Sequence, residues 1–366
     1  MECPGNVDIS KMVSHQGNTY LCGIYTDGTL TIQGDTIHNF GGTDGFICKF
    51  DHDGSLQWLN RIGGSGDDDA PAIAILNDRV YVTGKFKSNI LYFTPSNLVG
   101  LSNNTDSYLA EYDLDGNYIN HVRLFSGTSV ETVRDMLANP HTGNLAVIAV
   151  FKTEIQYTDT AGSVTLAARS AKDHILATVS TDGIVQDTAI FWNSAVKSVS
   201  KYINLNQDQG YYVGGDIYET IYFDESNQLT GGTTTVSDAF LVSVDANLDF
   251  QWARSGGSTG SDHVNAATAD NYGNAYISGK SSGDIVFDST SSHTSASISG
   301  FGGTDFYLAK YNKNGVLQWL NLKGSIGNDN SLGLAQNGEL VQFCGNTVDT
   351  VIFNNDTLKS SSLTDV

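Results

Sequence analysis

The chain has 366 residues, with 40 acidic and 19 basic side chains and a formal net charge of −21 at pH 7. This balance argues against a nucleic-acid partner, because phosphate binding needs a basic surface. No apolar run approaches the roughly 18 residues of a membrane helix, and "MECPGNVDIS" lacks the basic and apolar regions of a signal peptide. We therefore predict no membrane insertion.

Glycine is frequent and proline scarce, at 39 and 4 residues, and Tyr and Phe together number 33. This composition is typical of many short strands joined by glycine turns. Among the acids, Asp outnumbers Glu by 33 to 7. Aspartate suits turns, where its short carboxylate bonds to the local backbone, and it also suits Ca²⁺.

The four cysteines, Cys3, Cys22, Cys48 and Cys344, show no spacing typical of a zinc site. Cys22 and Cys344 occupy the same repeat position, each just before a glycine, which favours buried free thiols. A Cys22–Cys48 disulfide is the alternative.

Three sequence columns with one period reveal an internal repeat. An aspartate that precedes an apolar strand recurs with gaps of 62, 67, 65, 67 and 60 residues, at Asp44, Asp106, Asp173, Asp238, Asp305 and Asp365. A small residue recurs within a strand at Gly23, Gly84, Ala149, Gly215, Gly279 and Gly345. An aromatic residue recurs at Phe93, Tyr157, Phe223, Phe287 and Phe353. The predicted units are 6–67, 68–130, 131–196, 197–261, 262–328 and an incomplete 329–366.

Each unit reads as four short strands, here termed a, b, c and d in chain order. In the second unit these are "AIAIL", "VYVTG", "SYLAEYD" and "YINHVRLF". A loop of about 20 residues carrying "ILYF" joins strands b and c, and "DLDGN" forms the turn between c and d. Four antiparallel strands repeated radially predict an all-β fold, a β-propeller with one blade per unit. A linear solenoid fits less well, because its repeats are usually shorter.

The most similar segments are the hairpins of strands c and d in the first and fifth units. They read "GGTDGFICKFDHDGSLQWLNRIGG" from Gly41 and "GGTDFYLAKYNKNGVLQWLNLKGS" from Gly302. We predict that the tryptophans of these strands, Trp58, Trp252 and Trp319, pack between adjacent blades.

These segments resemble the bacterial β-propeller repeat abbreviated SBBP. Its units look like "GGTD-[FY]-hhAKYD-x-x-GxLxWxxxxGGSGDD" followed by "IAhD-x-x-GNhYVTG". The match is close at residues 41–84 and 302–320, good at 232–280 and weak in the third unit, and it covers essentially the whole chain. The resemblance implies a propeller in a secreted or surface-attached bacterial protein, often a module of a longer polypeptide. It implies no activity, because the family shares no set of catalytic residues.

The sixth unit stops at "LTDV", where its strand c should begin. A propeller normally closes its ring, because an open edge exposes unpaired backbone. We therefore expect six or seven blades when the ring is whole, about five and a half of them in this chain, and a longer native polypeptide.

The connections from d to a and from b to c emerge on one face of a propeller, where loops on a rigid scaffold usually bind. A cluster of acids in these connections could hold Ca²⁺, and the candidates are Asp67, Asp68, Asp69, Asp262 and Asp329. The alternative is that one aspartate per blade caps a glycine turn.

Several motifs indicate chemistry that their context does not support. "DHDG" and "DLDG" begin like an EF-hand loop, but Ile62 and Leu124 stand where the twelfth-position Glu is needed. "GGSTG" around Ser258 matches a nucleophile elbow, which requires a helix after the serine. The pattern of sialidase Asp boxes and the vicinal disulfide common in quinoprotein dehydrogenases are both absent from the sequence.

The third unit departs most from the repeat, and its basic residues make it nearly neutral within an acidic chain. Such a patch can dock a partner. The candidate partner-binding residues are Arg134, Lys152, Arg169, Lys172 and Trp192, with Lys197 also contributing charge. Drift within a tolerant repeat explains the departure equally well.

We conclude from the sequence that a non-catalytic scaffold for binding or adhesion is favoured, outside the cell or on its surface. Its ligand is a protein or a glycan, with no cofactor required and Ca²⁺ as an option. The alternative is a hydrolase or lyase that acts on an extracellular polymer in the central channel. A pair of uncompensated carboxylates with raised pKa would favour the enzyme.

Overall fold

A computed structural model describes residues 2–94, 97–100, 105–128, 132–193, 199–287, 296–337, 340–353 and 356–359. Within these ranges the regular structure is entirely β, which confirms the predicted all-β class. The same ranges contain no helix with the length and hydropathy needed to cross a membrane.

The chain divides into two compact units, Met1–Arg169 with Ile175–Thr188, and Ser170–His174 with Ala189–Val366. The single domain predicted for residues 1–366 stays a prediction.

The strands recur in the same order in every repeat. In the first three repeats they are β1 (Val7–His15), β2 (Asn18–Thr26), β3 (Thr29–Ile32), β4 (Asp35–His38), β5 (Thr43–Phe50), β6 (Leu56–Gly64), β7 (Ala72–Leu76), β8 (Arg79–Phe86), β9 (Ile90–Thr94), β10 (Asn97–Gly100), β11 (Asp106–Asp113), β12 (Tyr118–Phe125), β13 (Thr132–Asn139), β14 (Asn144–Phe151), β15 (Glu154–Asp159), β16 (Gly162–Ala167), β17 (Asp173–Val179) and β18 (Val185–Asn193). In the last three they are β19 (Val199–Leu205), β20 (Tyr211–Ile217), β21 (Glu219–Tyr222), β22 (Gln228–Gly231), β23 (Asp238–Val244), β24 (Phe250–Gly257), β25 (His263–Ala269), β26 (Ala275–Ser281), β27 (Ile285–Phe287), β28 (Ala296–Ile298), β29 (Asp305–Tyr311), β30 (Leu317–Lys323), β31 (Asn330–Asn337), β32 (Leu340–Asn346), β33 (Thr350–Phe353) and β34 (Asp356–Lys359).

The first, second, fifth and sixth strands of a repeat are the predicted strands a, b, c and d. In each of the first five repeats they lie in that spatial order, as in β1-β2-β5-β6 and β25-β26-β29-β30. Strands b and c are buried on both faces because they are central in the sheet; all seven residues of β20, for example, are buried. In the sixth repeat the described strands are the a–b pair β31-β32 and the hairpin β33-β34.

The connection from b to c, predicted as a loop, contains a two-stranded hairpin in every repeat. This hairpin often pairs with strand d of the preceding repeat, as Gly63 does with Tyr92 and Gly256 with Phe287. The aromatic column fixes the hairpin in place, since the ring centroid of Phe287 lies 5.2 Å from that of Tyr307 on strand c. The hairpins β9-β10, β21-β22 and β27-β28 therefore extend the sheet of the preceding repeat, which the sequence pattern did not reveal, whereas β3-β4 and β33-β34 form separate two-stranded sheets.

The glycine column is explained by a close approach of backbone. A Cβ added at Gly84 would lie 2.1 Å from the Asp69 carbonyl oxygen, and one added at Gly279 would lie 1.7 Å from that of His263. The backbone of strand a, or of the connection before it, therefore lies against these glycines of strand b. Any larger residue at these positions would clash with it.

The predicted packing of the tryptophans against the next repeat is confirmed for two of the three. The Trp58 indole N–H donates to the Leu114 carbonyl at 3.1 Å, and that of Trp252 donates to the Lys313 carbonyl at 2.9 Å. Both acceptors lie in the c–d turn of the following repeat. Trp319 is 36% exposed, and no turn of this kind faces it in the described part of the chain.

All four cysteines are free thiols, so the Cys22–Cys48 alternative is wrong. Cys22 and Cys48 are buried, and burial raises the pKa of the Cys48 thiol to about 12. The prediction of a buried Cys344 is also wrong, since this thiol is exposed on β32. The physical reason is that β32 pairs only with β31 among the described strands, whereas strand β2 of Cys22 is covered by β1 and β5.

The contact of Trp58 with the next repeat is tested by alanine at two matched turn glycines. Gly54 and Gly116 have φ values of +76° and +80°, so alanine costs roughly 1–2 kcal/mol at either position. A Cβ at Gly116 would also lie 2.6 Å from the Trp58 ring, whereas nothing lies within 4 Å at Gly54. We expect Gly116→Ala to lower the free energy of unfolding by about 1–3 kcal/mol more than Gly54→Ala, measured by urea denaturation. Equal losses would contradict the packing of Trp58 on this turn.

Candidate functional site

Three of the five acids predicted to bind metal are buried and bonded to backbone amides. Asp68 lies between strand d of the first repeat and strand a of the second. Its Oδ2 accepts from the Gly64 N–H at 2.7 Å and the Ser88 hydroxyl at 2.5 Å. Its Oδ1 accepts from the N–H groups of Lys87 and Ser88 at 3.0 and 3.2 Å. Both oxygens are thus occupied by donors from two repeats.

Asp262 repeats this arrangement between the fourth and fifth repeats. Its carboxylate accepts from the Ser258 N–H at 2.5 Å and the Ser258 hydroxyl at 3.0 Å. The Ser282 N–H, at the start of the next hairpin, donates to Oδ1 at 3.1 Å. Ser258 is therefore a structural residue in a connection between β24 and β25, and no helix follows it.

Asp329 forms the same joint between the fifth and sixth repeats. Its carboxylate accepts from the Ser325 N–H at 2.5 Å and from the Val348 N–H at 3.1 Å. The backbone N–H of Asp329 also donates to the Thr304 carbonyl at 2.6 Å, just before strand c. One aspartate thus connects the end of strand d, the next hairpin and the start of strand c.

The remaining two predicted acids face different partners. Asp67 is exposed and lies 3.3 Å from the Lys87 ammonium. Asp69 accepts from the Lys85 N–H at 2.7 Å, and its carboxylate lies 3.4 Å from the Lys85 ammonium. Calcium at these acids stays a prediction, and the donors around Asp68 favour the alternative of a turn cap.

One cluster in the described part of the chain brings three potential metal ligands within 4.8 Å of one another, and it consists of Asp51, His52 and Asp53. It lies in the exposed "DHDG" turn. There the Asp51 Oδ1 accepts from the N–H groups of Asp53 and Ser55 at 3.0 and 2.9 Å. The same geometry at Asp113, Asp245 and Asp270 confirms that these sequences are turns.

In the described part of the chain, most aspartates of the repeat column are also buried, and Asp238 is half-buried. Asp44 precedes Asp68 by 24 residues, and Asp238 and Asp305 precede Asp262 and Asp329 by the same interval. The Phe40 N–H donates to Asp44 Oδ2 at 2.9 Å, while Oδ1 is buried without a partner among the described residues. Burial raises the pKa of Asp44 to about 6, and the charge of Asp68 adds to the rise.

The predicted basic patch of the third repeat falls in both compact units. In the first unit, Arg134, Lys152 and Arg169 are exposed. In the second, Lys172 and Trp192 are half-buried, and Trp192 stacks on Tyr222 with ring centroids 5.7 Å apart. Lys197 lies outside the described residues.

Polar contacts between the a strands of different repeats were missed by the sequence reasoning. The Lys201 ammonium contacts Asp216 at 2.6 Å and donates to the Val264 carbonyl at 3.2 Å. His263 contacts the same carboxylate at 2.8 Å. In the first unit, Lys11 on β1 contacts Asp135 on β13, the a strand two repeats later, and donates to the Met136 carbonyl at 2.6 Å. A β-bulge sets the position of Lys201, and no sequence pattern marks a bulge.

Two exposed phenylalanines occupy equivalent positions before strand c. Phe40 in "FGGTD" of the first repeat is 53% exposed, and Phe301 in the same motif of the fifth repeat is 51% exposed. The N–H of each donates to the column aspartate, at 2.9 Å for Phe40 and 2.7 Å for Phe301. The backbone is thus held in place while the ring faces solvent, as in a preformed contact site.

Comparisons with known proteins add no assignment to this geometry. No protein-family model matches the chain, and no curated protein matches it in sequence.

The structural role of Asp68 is tested against its exposed neighbour. Asp68→Ala leaves the amides of Gly64, Lys87 and Ser88 without their acceptor, so we expect a loss of about 3 kcal/mol in the free energy of unfolding. Asp67→Ala removes one exposed ion pair and is expected to change it by about 0.5 kcal/mol at most. Chemical denaturation of both variants measures the difference. A small loss of stability in Asp68→Ala would contradict the role of this carboxylate in joining the two repeats.

The raised pKa of Asp44 predicts a pH dependence of stability. Between its ordinary value and about 6 the folded state binds more protons than the unfolded state. The stabilisation is therefore fully present below pH 3.8 and is lost as the pH rises through 6, by roughly 1–3 kcal/mol.

Asp44→Asn removes this titration. We therefore expect the difference in Tm between the natural protein and Asp44→Asn to move in favour of the variant from pH 4 to pH 7. Asp53→Asn, in an exposed turn, is the control for the loss of one charge. A difference independent of pH would refute the assignment.

Proposed function

We propose that this protein is a β-propeller that acts as a non-catalytic binding or adhesion scaffold on the outside of a bacterial cell. Four-stranded sheets in the order a-b-c-d support the propeller, with six or seven blades when the ring is whole. Within the compact units, β7 lies against β1 and β13, and β25 lies against β19 and β31. Successive a strands are thus adjacent, as around the axis of a propeller.

The ligand in this proposal is a protein or a glycan, recognised on the face that carries the b–c and d–a connections. The observation that supports it is the pair of exposed rings, Phe40 and Phe301, held at equivalent positions by hydrogen-bonded backbone. Rigidly held aromatic side chains supply large contact areas at low entropic cost. The extracellular location rests on the resemblance to secreted propeller repeats.

The alternative is a hydrolase or lyase acting on an extracellular polymer in the central channel. The raised pKa of the carboxyls of Asp44 and Asp68 favours it, since catalytic acids need such values. Against it, both side chains are fully buried, and donors from the backbone already surround Asp68. The same pairing recurs at Asp238 with Asp262 and at Asp305 with Asp329, as expected of architecture.

Removal of calcium tests the metal prediction. Because N–H donors surround the carboxylates of Asp68, Asp262 and Asp329, we expect the same Tm in millimolar Ca²⁺ as in chelator. A ligand bound only to the folded state at a hundredfold excess over Kd would stabilise it by about 2.7 kcal/mol. An increase of several degrees in Tm on addition of Ca²⁺ would therefore support a metal site at these acids.

Binding and cleavage are measured on the same polymers. We expect the protein to be retained by at least one member of a panel of immobilised polysaccharides and extracellular proteins, and to release no reducing ends or peptides from it. Phe40→Ser and Phe301→Ser should weaken retention without lowering Tm, whereas Tyr272→Ser, at another exposed aromatic residue, should not. Cleavage of the retained polymer would favour the enzyme, and no retention at all would overturn the proposal.

A further inference from the structure

A small pocket beside Phe40 differs from the rest of this acidic chain. It has a volume of about 270 Å³ and is lined by Thr36, Ile37, His38, Phe40, Leu59, Asn60 and Arg61. No carboxylate is among these residues, although the chain has 40 acidic and only 19 basic side chains. The lining thus combines a guanidinium, an imidazole, a hydroxyl and an amide with apolar surface.

The guanidinium of Arg61 lies over the Phe40 ring and near the Tyr92 ring. Its central carbon lies 3.5 Å from the Phe40 ring centroid and 5.7 Å from that of Tyr92. The two rings meet edge to face, with centroids 5.8 Å apart. A guanidinium stacked on a ring keeps its N–H groups in the plane, where they meet a carboxylate in a paired geometry.

Arg61 has one recorded hydrogen bond and one buried donor without a partner in the described part of the chain. Nη1 donates to the His38 carbonyl at 3.1 Å, whereas Nε is buried and has no partner among the described residues. An unsatisfied buried donor indicates a place for water or a ligand. Arg123, the equivalent residue in the second repeat, instead lies 3.3 Å from the carboxylate of Asp106. In the first repeat the equivalent acid, Asp44, is near enough for the charge of Arg61 to act on its pKa, yet neither Asp44 Oδ1 nor Arg61 Nε has a hydrogen-bond partner among the described residues.

We propose that this pocket binds a sugar ring that carries a carboxylate, such as a uronic acid within a glycan. The carboxylate meets Arg61, the ring lies along the exposed edge of Phe40, and Thr36 and His38 meet the hydroxyls. The volume is just below the range of small-molecule sites, roughly 300–1,000 Å³, and so fits one ring rather than an extended peptide. This inference rests on the proposed binding function and names its ligand class.

The test is a titration of the full chain with sodium D-glucuronate, followed by ¹H–¹⁵N chemical shifts at fixed ionic strength. We expect saturable shifts confined to residues near 36–42 and 59–61. Arg61→Gln should weaken binding at least about tenfold, since bonds to a charged group are lost. Phe40→Leu should weaken it while retaining the charge. Arg123→Gln, in the same repeat column, should leave it unchanged, and Tm measurements verify folding of each variant.

Several outcomes would overturn the assignment. D-glucose binding as tightly as D-glucuronate would remove the role of the carboxylate. If N-acetylglutamate amide binds as tightly as D-glucuronate, the ligand of the pocket is an acidic peptide and not a sugar. If binding is not saturable, or if Arg123→Gln weakens it as much as Arg61→Gln does, this pocket is not the binding site. Retention of the full chain on a glycan that is unaffected by Arg61→Gln would refute this site while leaving the proposed scaffold function intact.

Discussion

Each junction between repeats needs acceptors for backbone amides that no strand pairing satisfies, and a buried aspartate supplies them at three junctions. Asp68 illustrates the arrangement: its two oxygens accept from the end of one strand d and from the start of the next hairpin. Each such bond is worth most when buried, where the loss of the acceptor leaves a donor unsatisfied. The sheets are thereby held in a fixed relation to their neighbours, within each compact unit.

The rest of the junction follows from this joint. The hairpin that begins at Ser88 continues into β9, which pairs with Gly63 and Gly64 of the preceding repeat. Near the other end of β6, Trp58 covers the turn of the next repeat and donates to the Leu114 carbonyl. The hydrogen bonds to Asp68, the strand pairing of β9 and the packing of Trp58 thus all connect the same two repeats. The pocket of Phe40 and Arg61 lies outside this joint.

The acidic character of the chain is largely explained by structure. Asp51, Asp113 and Asp245 each accept two backbone N–H groups within a turn, and Asp68 and Asp262 hold junctions. A high net charge therefore does not by itself mark a metal-binding protein. The functional proposal rests instead on the exposed rings and on an arginine whose Nε has no hydrogen-bond partner among the described residues.

The sequence alone determined the repeat, the strand order and the turns, because these are properties of neighbouring residues. Alternation and turn chemistry placed "YINHVRLF" as strand d over Tyr118–Phe125, and "DLDG" as a turn. The tertiary structure decided the partners. Ser88 reaches Asp68 from 20 residues away, and Leu114 reaches Trp58 from 56 residues away. No local pattern specifies which distant donor meets a given carboxylate, so the sequence left Asp68 open between a metal ligand and a cap, and it left the pocket around Arg61 unseen.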